Sequence, residues 1–133
     1  MKKEDLRIGN IVSCFYKNKK VVEVIKSIWY DSTEKLYKVE FESGHFGSTN
    51  GVSISAIMPI LINTKMLENI GFKLIEYYLY FGDFTLNYYK DGFMICVNEN
   101  DRHITKPISY VHELQNLYYD LTGKELEIKR EWL

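Results

Sequence analysis

The sequence predicts an α+β protein: a β-rich N-terminal half, then a helix, a three-stranded antiparallel meander and a closing helix. Three observations predict it. Residues 1–60 carry runs of β-branched and aromatic residues cut by short polar connections. The segments "NTKMLENIGF" and "YVHELQNLYYDLTG" repeat apolar residues at helical spacing, and each has a glycine where a helix would end. Between them, "KLIEYYLYF", "FTLNYYK" and "FMICVNE" are separated by Gly82-Asp83 and Asp91-Gly92, dipeptides suited to tight turns.

In order, Gly9-Asn10 of "DLRIGN" forms the turn that feeds the first strand, "IVSCFYK". Asn18-Lys19-Lys20 supplies the next turn, and "VVEVIKSIWY" is the second strand. After the polar connection Asp31 to Lys35, "LYKVEFES" alternates, with Tyr37, Val39 and Phe41 on one side and Lys38, Glu40 and Glu42 on the other. Three short strands with tight connections predict a small, strongly bent β-barrel of the SH3-like kind. The loop "SGHFGSTNG" is glycine-rich, but it lacks the GxxxxGK[ST] arrangement and no helix start follows it. It therefore reads as a flexible β-connection with His45 solvated at its tip, not as a phosphate cradle.

Pro59 marks a seam. It predicts a β-lobe over residues 1–58 and a helix–meander–helix lobe over 59–133, either separate or merged in one compact domain. Asn63 suits an N-cap; Met66, Leu67 and Ile70 make the inward stripe. Gly71 takes the left-handed C-terminal position, and Phe72 packs back on the stripe. The meander should put Ile75, Tyr77, Leu79 and Phe81 on one face, with Phe84, Leu86 and Tyr88 alternating against Thr85, Asn87 and Tyr89. A polar loop from Asn98 to Lys106 leads to Pro107 and to a second helix with Ser109 as its N-cap. The tail "ELEIKREWL" fits a short strand and a frayed end equally.

At 46% hydrophobic and 26% charged, the chain has the composition of an ordinary globular domain, which argues against disorder. Its net charge is −1, so no global field draws it to nucleic acid or an acidic membrane. Residues 1–60 hold nine Lys/Arg against seven Asp/Glu, and residues 61–133 hold eight against eleven, too small a swing to name a partner. Cys14 and Cys96 each stand inside an apolar run with no CxxC partner, which reads as two buried thiols in a reducing compartment. No signal-peptide core follows "MKKEDLRIGN" and no run has membrane-spanning length, so a cytoplasmic location is expected.

On the second helix, Tyr110, Val111, Leu114, Leu117, Tyr118 and Leu121 share a sector about 120° wide, the width of a core-facing stripe. The other face carries His112, Gln115, Asn116 and Tyr119, a polar, tyrosine-bearing patch and the candidate protein-contact surface. His112-Glu113 opens like a zinc-binding helix. That motif needs a second histidine at i+4, and Asn116 stands there instead. No catalytic residue, metal ligand set or cofactor is assigned.

The order "DLRIGN", "PILINTKMLENIGF", "YVHELQNLYYDLTGKEL" resembles a widespread family of small uncharacterised proteins of Bacteroides-type gut bacteria, their phages and their mobile elements. In that family an entry motif like "LRIGN" is followed by segments like "PIPLTEEWLLKFGF" and "YVHQLQNLYFALTGEEL". Pro59-Ile60, Gly71-Phe72, Tyr110-Val111-His112, Leu114-Gln115-Asn116-Leu117-Tyr118 and Leu121-Thr122-Gly123 match. Asn63 stands where the family has a capping Thr, and Glu68 departs at a position that is usually apolar. The resemblance implies a setting, phage or mobile-element cargo, and no mechanism.

These readings together predict a non-enzymatic accessory protein acting as a small protein-binding or adaptor module. The alternative is single-stranded nucleic-acid binding through the β-lobe, with Lys17, Lys19 and Lys20 at its turn and Tyr16 and Trp29 nearby. A structural virion component is a third reading. Oligomeric state is left open.

Overall fold

Strand β1 (Ile11–Tyr16) starts where Gly9, at φ 90°, lets the chain turn. The buried Asn10 side chain accepts the Arg7 backbone N–H at 2.7 Å. Gly9 N–H donates to the Ile25 carbonyl (2.8 Å) and Ile25 N–H to the Asn10 carbonyl (2.9 Å). The "LRIGN" motif is thus a structural clasp onto the second strand. In the computed structural model the chain forms two units, Met1–Ile60 and Leu61–Leu133. Residues 1–46, 50–76, 78–82, 84–89, 92–97, 102–103 and 107–133 are described; at 84, 88, 89, 92–97, 102 and 103 the description is of the backbone.

The first unit is a curled, antiparallel four-stranded half-barrel in the order β1–β2–β3–β4, with β2 at Lys19–Asp31, β3 at Leu36–Phe41 and β4 at Val52–Ser53. β2 is not short. Its thirteen residues pair with β1 at one end and β3 at the other, and the register shifts between Ile25 and Ser27. Such an irregularity bends a strand, which lets one ribbon serve both halves of the curl. A 3-10 turn at Ile54–Ala56 follows β4. The chain then reaches the free edge of β1, where Met58 and Ser13 exchange both backbone hydrogen bonds (2.8 and 2.9 Å). Leu6, Val12, Cys14, Ile25, Val39, Phe41 and Ile57 form the core.

Two details differ from the sequence-based expectation. The β1–β2 turn is Lys17-Asn18, both left-handed (φ 47° and 63°), and Lys19 and Lys20 already belong to β2. This is the backbone of a two-residue hairpin loop, whose twist matches the strands. On β3, Tyr37 is exposed while Lys38 is buried. The Lys38 ammonium lies 3.1 Å from Asp31 and 2.8 Å from Glu34, so its charge is satisfied where the alternating pattern predicted water.

In the second unit, α1 (Thr64–Ile70) is capped by Asn63 Oδ1, which accepts the Met66 N–H at 2.8 Å. It ends at Gly71, φ 116°, and Phe72 is buried beyond it. The expected single strand "KLIEYYLYF" is two strands, β5 (Lys73–Ile75) and β6 (Tyr78–Phe81), folded back on each other after Glu76 at φ 56°. That reversal leaves Ile75 exposed while Leu79 is buried. Tyr77 lies outside the described residues, as do the side chains of Tyr88 and Tyr89. With β7 (Phe84–Tyr89), β8 (Gly92–Val97) and β9 (Arg102–His103), the order is β5–β6–β7–β8–β9. The predicted meander is therefore its centre, flanked by two short edge strands. Most of the expected loop 98–106 lies outside the described residues, apart from β9.

α2 runs Val111–Thr122. Its cap is not Ser109. The Glu113 carboxylate reaches back to accept the Ser109 N–H (2.9 Å) and the Tyr110 N–H (3.0 Å). Gly123, φ 70°, ends it. The tail is neither strand nor frayed end: Leu126 is buried and Arg130–Trp132 form a 3-10 turn.

Gly51 offers a direct test of the packing. It sits at φ +58°, and an added Cβ would strike the Trp29 indole and lie 3.0 Å from the Val39 carbonyl oxygen. Gly51→Ala should cost about 1–3 kcal/mol, read as a lower urea midpoint at unchanged m-value. A second test uses pH. The Glu34 backbone N–H and then the Lys38 ammonium hold the Asp31 carboxyl below its ordinary range. Hydrogen bonds to Glu34 and Asp31 hold the Lys38 ammonium above its ordinary range. The lowered Asp31 stabilises the fold above the usual carboxylate range, and this is lost as pH falls through its folded value. The raised Lys38 stabilises below the usual lysine range, and this is lost as pH rises through its folded value. The stability difference between wild type and Lys38→Met should therefore be flat from about pH 5 to 9 and move against wild type below about 4 and above about 10.5. A flat difference across the whole range in urea titrations would remove the network's role.

Candidate functional site

The α2 face changes most between sequence and structure. His112 and Gln115 are each only 3% exposed, Asn116 is half-buried, and Tyr119 is exposed. Conversely Leu121, expected in the core, is exposed. The buried arc is Val111, His112, Leu114 and Gln115, turned roughly 80° from the apolar stripe. The reason is positional. Burial is confined to the first turns, where Leu61 bridges Tyr110 and Ile62 N–H donates to the Ser109 carbonyl (2.8 Å). The last turn, Tyr119 to Thr122, is solvent-facing on every side. Of the four protein-contact candidates, Asn116 and Tyr119 keep access to a partner; His112 and Gln115 do not.

A denser constellation stands around the β1–β2 hairpin of the first unit. Directly opposed residues in an antiparallel ladder share a face. Val12↔Glu23, Cys14↔Val21 and Tyr16↔Lys19 are such pairs, so Glu23 points to the core side with Val12 and Cys14. Glu23 is 0% exposed, a carboxylate inside an apolar half-barrel. Its Oε1 lies 2.8 Å from His45 Nδ1, and the His45 side chain is 45% exposed. The Tyr16 ring stacks on the imidazole (centroids 4.9 Å, planes 10° apart). Phe46 packs edge-on between Tyr16 (5.0 Å) and the core residue Phe41 (5.6 Å). Lys17 lays its ammonium 5.3 Å from the Tyr16 centroid. The Cys14 thiol is pushed up to about 11, first by burial and then by the negative charge of Glu23.

Of the five nucleic-acid candidates, the hairpin brings together Tyr16, Lys17 and Lys19. Lys20 pairs with Phe15 on the opposite face, where Phe15 is 61% exposed. Trp29 is not part of the group. It pairs with Lys38 and lies against Gly51, ten residues along β2 from Lys19 and so roughly 30 Å of strand away. His45 is not solvated at a loop tip, as its glycine-rich surroundings suggested, but anchored by a buried carboxylate. Sequence reasoning missed Glu23 altogether. The available signal was a lone acid inside "VVEVI", flanked by valines on a strand, where a charge is either outward or held.

Among the described residues, no group of three or more His, Cys, Asp and Glu is placed to hold a metal ion. Among them, too, no helix is long and apolar enough to cross a membrane. The side chains of Cys96 and His103 lie outside the description. No family model, curated protein or solved structure matches the chain.

Two outcomes check this geometry. His45→Ala takes a hydrogen-bond partner from a buried carboxylate and should cost about 1–3 kcal/mol in denaturant unfolding. In a Cys96→Ser background, Cys14 should resist a thiol reagent at about pH 8 until urea unfolds the chain, because the thiolate is the reactive form. Rapid labelling of the native protein would refute its burial.

Proposed function

We propose that the chain is a small, non-enzymatic accessory module that binds single-stranded nucleic acid through the β1–β2 hairpin end of its half-barrel. The observation that carries this reading is the gathering of Tyr16, His45, Lys17 and Lys19 at one edge, with Phe15 and Lys20 on the reverse of the same hairpin. Among the described residues, Lys17, Lys19 and Lys20 have no carboxylate partner, whereas Lys26 and Lys38 are paired to Glu40, Asp31 and Glu34. Lysines interleaved with aromatic rings fit a strand whose phosphates want charge and whose bases want a stacking plane. An SH3-like reading of the half-barrel agrees with the 3-10 turn and the return of Met58 to β1. The resemblance to proteins of phages and mobile elements supplies a cytoplasmic setting in which displaced single strands occur.

Anisotropy of a labelled oligothymidine, titrated across ionic strengths, tests the proposal. Binding should weaken with salt. A Lys17→Ala/Lys19→Ala/Lys20→Ala variant should flatten the log–log salt slope by about 2, at roughly 0.7 for each phosphate no longer neutralised. Absence of salt-sensitive binding by the folded wild type at low ionic strength rejects the reading.

The protein-contact alternative keeps one favourable observation: Tyr119 is exposed on the last turn of α2, on the same side as the half-buried Asn116. An Asn116→Ala/Tyr119→Ala variant that recovers the same host proteins as wild type in a pull-down removes that face from consideration.

A further inference from the structure

We infer that His45 is the pH-dependent phosphate contact of this hairpin site, and that Glu23 is the positioning residue that aims it; the inference rests on the nucleic-acid reading above. The buried Glu23 carboxylate takes Nδ1 of the imidazole, 2.8 Å away, so Nε2 is the ring nitrogen left for a further contact on a side chain that is 45% exposed. A carboxylate accepts and cannot donate, so Nδ1 carries the proton in this pair. Nε2 is then an acceptor when the ring is neutral and a donor when it is an imidazolium. Only the imidazolium can donate to a phosphate oxygen, so protonation converts a bystander into a charge-assisted phosphate ligand.

The ring is held for this. Tyr16 covers one of its faces, and Phe46, next in sequence, is wedged between Tyr16 and Phe41, which fixes the backbone that carries residue 45. Among the described residues, the site gathers Glu23 from β2, Tyr16 from β1 and, over Tyr16, the Lys17 ammonium from the hairpin turn; Cys14 on β1 faces Glu23 from the core side. Lys19 shares the face of Tyr16. A strand running past Tyr16 thus meets constant charges at Lys17 and Lys19 and one conditional charge at His45. The lysines supply binding at any physiological pH, and the histidine supplies its pH dependence.

The experiment is oligothymidine binding at constant, low ionic strength at about pH 6 and about pH 8, using the full chain. Wild type should bind roughly five- to tenfold tighter at the lower pH, on the order of one charge-assisted contact. His45→Gln, which can still donate to Glu23 but does not titrate, should give the same affinity at both. Glu23→Gln keeps a hydrogen-bond acceptor for Nδ1 and should shrink the pH ratio without changing the lysine-dependent salt slope at the higher pH. Thermal melts of each variant report whether it folds, and His45→Gln serves alone if Glu23→Gln does not. Wild-type binding without pH dependence, or a pH ratio that survives in His45→Gln, overturns the role of His45 and leaves the nucleic-acid reading standing. No binding at either pH overturns both.

Discussion

A carboxylate in an apolar core costs several kcal/mol unless its charge is met there, and Glu23 is fully buried in the core of the half-barrel. The hydrogen bond from His45 meets part of that need and in doing so positions much else. It fixes where the chain lies after β3. It brings Phe46 against Phe41 and so joins the segment to the core cluster. It stacks Tyr16 on the imidazole and leaves the neighbouring hairpin turn, with its lysines, at the rim. A buried acid is thus a poor contributor to stability in itself and a strong determinant of which loop conformation is allowed.

The rest of the first unit follows a similar logic, in which a polar group resolves what apolar patterning leaves open. Asn10 ties Arg7 and, with Gly9, clasps Ile25, so backbone hydrogen bonds hold the register of β2 at the start of β1. Lys38 is the counterpart on the other end of β2. It faces the side of Trp29, where an exposed residue was expected, and Asp31 and Glu34 at the β2–β3 turn close over its ammonium. The tight approach of Trp29 to Gly51 explains why a glycine stands there, since any side chain would meet the indole.

In the second unit, Asn63, Gly71 and Phe72 take the places that cap chemistry gives them, and Glu113 caps α2 in place of Ser109. The surface available to a partner differs from the one hydropathy draws because α2 is buried by position along its length more than by face. His112 and Gln115 lie in the buried first turns, while Leu121 lies in the exposed last one. Polar residues are carried into the interior and an apolar one is left outside.

The local grammar of the chain is legible from its residues alone. The glycines at 9, 71 and 123, the Asn63 cap, the alternation of Val39 and Phe41, and the α+β order of elements are consequences of backbone sterics and near-neighbour periodicity, which act over a few residues. Three-dimensional packing settled the remainder. It cut "KLIEYYLYF" into two strands at Glu76, because a left-handed residue at one position reverses a chain that propensity would extend. It buried Lys38 once Asp31 and Glu34 had been brought to it. It paired Glu23 with His45, 22 residues away in sequence, to make the only neighbourhood in the first unit where a buried acid, a stacked imidazole and lysine ammonium groups are found together among the described residues. Charge satisfaction in a desolvated core depends on which distant groups arrive, and no local pattern encodes that.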